Sequence, residues 1–314
     1  MIIDTIRRFK LAYSVYNFFH RKELRHNEDL YKKIGLNKKY YSPVSSRDFA
    51  RFKNEHAIVF HPEKIKASAL FNSVNEASKQ SLLDFDDNGF AVIRNFISED
   101  KAEAVNTEIS RMLDSGALKF VNRNKIMFAI HQSDLLRSIG SDNNLVEILS
   151  ILLDGKAVLF QSINFLTGSE QATHSDSIHM TTYPLGGLLG VWIALEDITE
   201  ENGPLHYYPG SHKLPYYLNS DYNNEGTDYM IGDKSYAEYE QMMQEKIREK
   251  GLKKQIFKAK KGDLLIWHAN LFHGGEPHLN KNTTRKSMVL HYFKENSICY
   301  HEITQRPALI KDFD

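Results

Sequence analysis

GGLLGVWIALEDI, Gly186 to Ile198, followed by GPLHYYPGSH, Gly203 to His212, is the stretch on which the fold turns. Both are short apolar runs broken by Gly, Pro and Asn. Runs of the same kind flank them: AVLFQSINFL from Ala157, DLLIWHANLFHGG from Asp263 and RKSMVLHYF from Arg285. Many short strands at such spacing indicate an all-β sandwich or barrel. After PGSHKLP, roughly forty residues run through YAEYEQMMQEKIREKG, a charged helix ending at Gly251. A long insertion in a β scaffold reads as a lid or as a solvated surface helix, and its charges do not separate the two.

Upstream, NGFAVIRNFIS pairs an Asn-Gly turn signal with alternation of Phe90, Val92 and Arg94 against Ala91, Ile93 and Asn95, a buried strand. Ser98, Glu99 and Asp100 then open a helix, with acids suited to its first turn. Residues 26–80 are rich in Lys, Tyr, Asn and Ser and read as an extension with short helices. Residues 1–25 place Ile2, Ile6, Phe9, Tyr13, Tyr16 and Phe19 three or four apart, with Arg7, Arg8, Lys10, Asn17 and Arg21 largely elsewhere on the wheel. That is an amphipathic helix, docked on its own domain or a twin subunit, or lying on a membrane surface. No run approaches the roughly 20 apolar residues that span a bilayer.

The chain has 314 residues, 41% hydrophobic and 25% charged, with forty basic residues against forty acidic ones. Length and composition suit one large domain with extensions. Zero net charge and the lack of a basic tract argue against a nucleic-acid partner. Cys299 alone forms no internal disulfide and fits a reducing cytoplasm; a membrane-lying helix would place the protein at the inner membrane surface.

The chemistry centres on QATHSDSIHM, Gln171 to Met180. On a strand, residues two apart share a face, so His174 and Asp176 can converge on one ion. Two imidazoles and a carboxylate on one side of an iron leave the other side open for co-substrate and oxygen. The third ligand must come from a distant segment, with His268 and His273 as candidates; His273 precedes the turn-permissive Gly274 and Gly275 and is the better choice.

These pieces together resemble the phytanoyl-CoA dioxygenase family of Fe(II)- and 2-oxoglutarate-dependent oxygenases. NGFAVIRNFIS is similar to its opening strand and helix, HSD to its H-x-D, and GVWIALEDITEENGPLHYYPGSH to its W-x-A-L-x-D, N-G-x-L and P-G-S/T-H segment. KKGDLLIWHANLFHGG resembles its G-D-x-x-x-x-H…H-G, with Arg285 beyond it, so the likeness runs from roughly residue 83 to 295. It implies a double-stranded β-helix, a jelly-roll core with flanking helices over 81–306, interrupted by a helical lid at about 214–255. It implies His174, Asp176 and His273 as iron ligands. Arg285 would grip the far carboxylate of 2-oxoglutarate bidentately, with Ser287 adding a hydroxyl. Trp192 matches a family tryptophan beside the co-substrate, and Gln161 and Asn164 are polar residues in an apolar strand that would bond the co-substrate, line the pocket or simply satisfy backbone groups. His179 is not a family ligand and is read as a pocket or structural residue. Pro209 to His212 is read as a turn on which the insertion hangs.

The implied reaction uses Fe(II), 2-oxoglutarate and O2 to hydroxylate a C–H bond of a small molecule or a glycan- or lipid-linked substrate, releasing succinate and CO2. Nothing marks a coenzyme A site. Two other readings of the residues stay open: a non-oxygenase metal enzyme of the epimerase or lyase kind, and a binding or scaffold protein with a degenerate site.

Overall fold

The computed structural model describes residues 8–52, 58–121 and 124–311. Thirteen strands carry the architecture among them: β1 Phe90–Ile93, β2 Phe120–Val121, β3 Lys125–Met127, β4 Ala157–Phe165, β5 Thr181–Tyr183, β6 Leu188–Ala194 and β7 Leu205–Tyr207. They continue with β8 Gln255–Phe257, β9 Leu264–His268, β10 His273–Gly275, β11 Ser287–Lys294, β12 Ile298–His301 and β13 Arg306–Pro307. Seven form one antiparallel sheet in the order β1-β9-β6-β11-β4-β3-β2. Two three-stranded sheets, β10-β7-β8 and β13-β12-β5, complete the jelly roll that the sequence predicts.

The large sheet is covered on both faces, which is why its strands read as nearly continuous apolar runs. Cross-strand rows assign the faces. Ile193, Met288 and Asn164 share one row, and Trp192, Val289 and Ile163 the next. The first row faces a core of helix side chains, including Val105, Ile109, Leu145 and Leu149. The second faces inward, where Trp192, Val289 and Leu265 meet Leu205, Tyr207 and Phe257 of the small sheet. Ser98 caps the helix Glu99–Asp114 by accepting from the Lys101 N–H, as its position predicts.

The extension divides by what it packs on. Ile65 and Leu70 belong to the core beneath the large sheet. Tyr31, Leu36, Val44 and Phe49 pack instead on Tyr183, Ile298 and Tyr300 of β5 and β12. Glu302, buried behind β12, accepts from the Ser46 hydroxyl at 2.6 Å and the Asn219 N–H at 3.3 Å, tying extension, insertion and barrel together.

The insertion folds as a wall. Its helix Tyr236–Glu249 starts on a Ser235/Glu238 capping box and buries Tyr239, Met242, Met243 and Ile247 against Ile178, Tyr208 and Phe272. Its charges are on the other side, so the charge run and the buried stripe coexist on one helix.

The N-terminal helix spans Lys10–Phe19; Ile2, Ile6 and Arg7 lie outside the described residues. It is docked on its own domain, but by its polar side. Asn17 is buried and donates to the Tyr41 carbonyl at 2.9 Å, while Leu11 is 73% and Phe19 77% exposed.

Candidate metal centre

His174 and His273 face each other across an isolated antiparallel bridge, each N–H donating to the other's carbonyl at 2.9 Å. Their rings stand 4.6 Å apart. The two candidate histidines of DLLIWHANLFHGG are not on one strand: His268 ends β9 in the large sheet, and His273 opens β10 in the small one. The turn between them brings His273 to the centre. His268 accepts from the Asn270 N–H and stacks near His212, away from it.

Asp176 departs from the sequence expectation in how it reaches the site. It is not two strand positions beyond His174; the chain leaves the strand there and enters a 3-10 turn, Asp176–Ile178. The bend, rather than strand period, aims the carboxylate. Its Oδ1 lies 3.7 Å from His174 Nε2 and 3.6 Å from His273 Nε2. Ligands bonded at ~2.1 Å to one ion stand roughly 3.0–3.6 Å apart, so these three atoms need little movement to share a metal.

The supports fix which atoms are presented. Nδ1 of His174 donates to the Ala172 carbonyl and Nδ1 of His273 to the Leu271 carbonyl, both at 2.9 Å. Each Nε2 is therefore left with a lone pair toward the centre. Trp267 Nε1 donates to Asp176 Oδ2 at 2.7 Å, leaving Oδ1 to face the two imidazoles. His291 Nε2 stands 3.7 Å behind the same Oδ2. Burial pushes the Asp176 carboxyl up, but His273, His291 and His174 outweigh it and hold it below the usual carboxylate range. Burial, with His273 beside it, pushes His174 well down, so it is a neutral ligand. Among the described residues, these three form the His/Asp cluster able to hold a metal ion.

A second demand comes from Arg285, which is 1% exposed. Its Nε donates to the Gly203 carbonyl at 3.1 Å and its Nη1 to Ser287 Oγ at 3.3 Å. Nη2 is buried with no partner among the described residues. The guanidinium lies 5.3 Å from the Trp192 ring, whose Nε1 is likewise buried and unpaired. Burial pulls the Arg285 pKa down to about 10 against the pull of Glu196. A buried cation with an idle donor calls for an anion. Arg285, Ser287 and Trp192 are thus brought together on the inward side.

Gln161 does not join them. It pairs with His291, whereas Ser287 pairs with Phe165, roughly 13 Å further along the strand. Gln161 lines instead a cavity of 280 Å³ with Phe160, Met180 and His301. Asn164 is on the opposite face, in the row of Ile126, Met288 and Ile193, so it lines no inward pocket. A strand period of two separates residues three apart, which is the physical reason the two polar residues part company.

Sequence reasoning missed several side chains at this centre. Lys125 on β3 is in the row of Phe165 and Ser287; burial pushes its ammonium down while Asp176 pulls it up. Alternation with the core residue Ile126 was the available signal. Gln171 Nε2 is 3.3 Å from His174 Nε2, 3.4 Å from His179 Nε2 and 3.3 Å from the Tyr236 hydroxyl. His179 Nε2 is 3.0 Å from the same hydroxyl and its ring 5.8 Å from His301. Burial takes His179 down to about 3 and His301 to about 4, so both are neutral hydrogen-bonding groups. Tyr239, on the insertion, accepts from the Ser175 N–H at 3.2 Å, between two ligands. Ser211 of the Pro209–His212 turn accepts from the Phe272 N–H, beside the third.

Comparison with known proteins agrees with this geometry. A family model described as phytanoyl-CoA dioxygenase matches residues 114–287. A mouse phytanoyl-CoA dioxygenase domain-containing protein 1 is 38% identical over 94 residues, 28% of this chain and 32% of its own length. The chain thus spans about a third of the length of that curated relative. An ectoine dioxygenase from Stutzerimonas stutzeri is 32% identical over 152 residues, 41% of this chain and 48% of its own. Among solved structures, the α-ketoglutarate-dependent carbocyclase SnoK of nogalamycin biosynthesis superposes with a TM-score of 0.58 at 16% identity, covering 74% of this chain and 88% of that one. EctD from S. alaskensis with 2-oxoglutarate and 5-hydroxyectoine gives 0.53 at 18%, covering 78% and 85%.

Proposed function

We infer that this chain, which belongs to the phytanoyl-CoA dioxygenase family, is an Fe(II)- and 2-oxoglutarate-dependent dioxygenase. It hydroxylates a C–H bond of a small molecule or of a glycan- or lipid-linked substrate and releases succinate and CO2. The observation that carries the reading is the pairing of two groups on the inward side of the large sheet. Three metal-ligating atoms lie within 4.8 Å of one another, and a buried guanidinium has a nitrogen with no partner among the described residues.

His174, Asp176 and His273 would hold the iron, and Arg285 with Ser287 the far carboxylate of 2-oxoglutarate. Trp192 gives that guanidinium an aromatic face, and Lys125 adds a positive charge on the metal side of the same row. With O2, iron and 2-oxoglutarate supply the oxidative decarboxylation and C–H oxidation, chemistry no side chain provides. The protein's part is placement. Backbone carbonyls orient both imidazoles, Trp267 presents one carboxylate oxygen, and the Tyr236–Glu249 helix shuts water from one side. Gln171, His179, Tyr236 and His301 form a neutral hydrogen-bonding wall that positions the substrate.

Fe(II), 2-oxoglutarate and oxygen supplied to anaerobically purified protein should yield succinate. A protein that never consumes 2-oxoglutarate refutes the reading, and His174→Ala or Asp176→Ala retaining wild-type iron refutes the triad. Hydroxylation is the outcome proposed; oxygen-18 from O2 in the product separates it from the ring-closing or epimerising outcomes named for SnoK and SnoN. The helix Lys10–Phe19 is further proposed as a contact element, for a twin subunit or for the inner face of a cytoplasmic membrane. No helix among the described residues is long and apolar enough to cross one.

A further inference from the structure

The N-terminal helix is fastened with its polar side in and its apolar side out. Asn17 bonds Tyr41, Phe9 bridges Met230 of the insertion, and the Arg306 guanidinium lies 5.6 Å over the Tyr13 ring. Leu11, Val15, Phe18 and Phe19 are left exposed. A helix anchored at so many points against its own hydrophobic preference has something to cover that face. From Thr5 to Lys22 the chain carries Arg7, Arg8, Lys10, Arg21 and Lys22 and no acid; within this stretch Arg8 pairs with Asp233 of the insertion. Apolar residues flanked by cations, of which Arg21 and Lys22 have no ion-pair partner among the described residues, match the interface of an anionic bilayer rather than a second copy of the same basic helix.

The cavity of 280 Å³ runs beneath this helix. Tyr16 and Asn17 line its outer part together with the partly exposed Phe128. Phe160 and Met180 form its apolar walls, and its inner end reaches Gln161 and His301. Beyond His301 stand His179, Gln171 and Tyr236, and then His174. The route is therefore mostly apolar, with Asn17 and Arg306 at its helix end, and hydrogen-bonding near the metal ligands.

We propose that the helix Lys10–Phe19 seats the protein on an anionic membrane surface, and that the cavity beneath it admits a membrane-borne amphiphile, hydroxyl-bearing head first and apolar chain trailing. The proposal rests on the oxygenase reading for what happens to that head, but not for its two physical claims.

Flotation of the full chain tests the first claim. It should float with vesicles of phosphatidylcholine and phosphatidylglycerol, less with phosphatidylcholine alone, and less at high salt. Leu11→Ser combined with Phe19→Ser should lower the bound-to-free ratio by at least about tenfold. Failure of the wild type to float, or a dimer by light scattering that the double variant dissolves, overturns the docking claim; the dimer result assigns the face to a second copy. Calorimetry tests the second claim, with decyl maltoside below its micellar concentration against maltose. The alkyl glycoside should bind at least about tenfold tighter, in the wild type and in the helix double variant alike. Ala308→Trp, at the cavity lining, should erase the difference. Equal affinities in the wild type, or a preference lost with the helix substitutions, overturn the cavity claim. Neither readout uses iron or 2-oxoglutarate, so failure here and failure of succinate release are separate results.

Discussion

Replacing Arg285 by methionine separates a strut from a ligand clamp. A buried arginine that serves the fold is paired, and removing one partner of a buried pair costs about 3–5 kcal/mol. Arg285 has no carboxylate partner: it donates to one carbonyl and one hydroxyl, and its third nitrogen is idle. Burial lowers its pKa from 12.5 to about 10, which corresponds to about 3 kcal/mol of charge desolvation. The two hydrogen bonds lost with the side chain contribute about 1.5–3 kcal/mol each, being charge-assisted. Gain offsets much of the loss, so Arg285→Met should unfold in urea with a loss below about 3 kcal/mol when neither metal nor co-substrate is present. The difference should appear on loading. With Mn(II) under argon and 2-oxoglutarate at a hundred times its dissociation constant, the wild type should gain about 2.7 kcal/mol and the variant none. A ligand-free loss of 3 kcal/mol or more, or an equal gain with 2-oxoglutarate, would refute the reasoning.

Trp267→Phe removes the donor to Asp176 Oδ2 and should weaken metal binding about 10–100-fold in a chelator competition, and unchanged affinity would make that bond idle. Gly190→Ala should act in the same direction, because its Cβ would stand 2.3 Å from the Trp267 indole and force it to shift. Tyr239→Phe leaves the buried Ser175 N–H without its partner and should cost about 1–3 kcal/mol in urea, with no loss expected only if the insertion is a loose cover. Acid should destabilise the fold below neutrality. His26 and His301 are held down to about 4 and His268 to about 3 by burial, so the unfolded chain binds more protons between about pH 4 and 6.5. Their stabilisation is complete above 6.5 and lost on the order of 4 kcal/mol per unit as pH falls. Urea midpoints that stay level from pH 7 to 5 would contradict this.

The legible part of this molecule was what local pattern encodes. Apolar runs of strand length gave the sheets, and Ser98 with its acids gave a helix start that the Lys101 N–H bears out. The H-x-D was visible because three adjacent letters suffice for it. Its third partner was not, since His268 and His273 differ by a change of sheet, and a single sequence shows no sheet assignment. Gly274 and Gly275 favoured His273 without settling it, and resemblance to the family implied the same residue. Gln161 and Asn164 part on physics available beforehand: three apart on a strand, they cannot both face one pocket. Regular alternation from Ile163, which is in the inward row, keeps Gln161 on the inward side. In YAEYEQMMQEKI, the charges did not separate a lid from a solvated helix, yet Tyr239, Met243 and Ile247 recur at four-residue steps and are buried. The charge count described one face and the aromatic stripe the other. That stripe holds the ligand loop from behind through Tyr239 and Ser175, so the insertion cannot open as a free flap without loosening the metal ligands. The proposed path for substrate therefore lies on the other side of the centre, where Gln161, His301 and the N-terminal helix line a cavity.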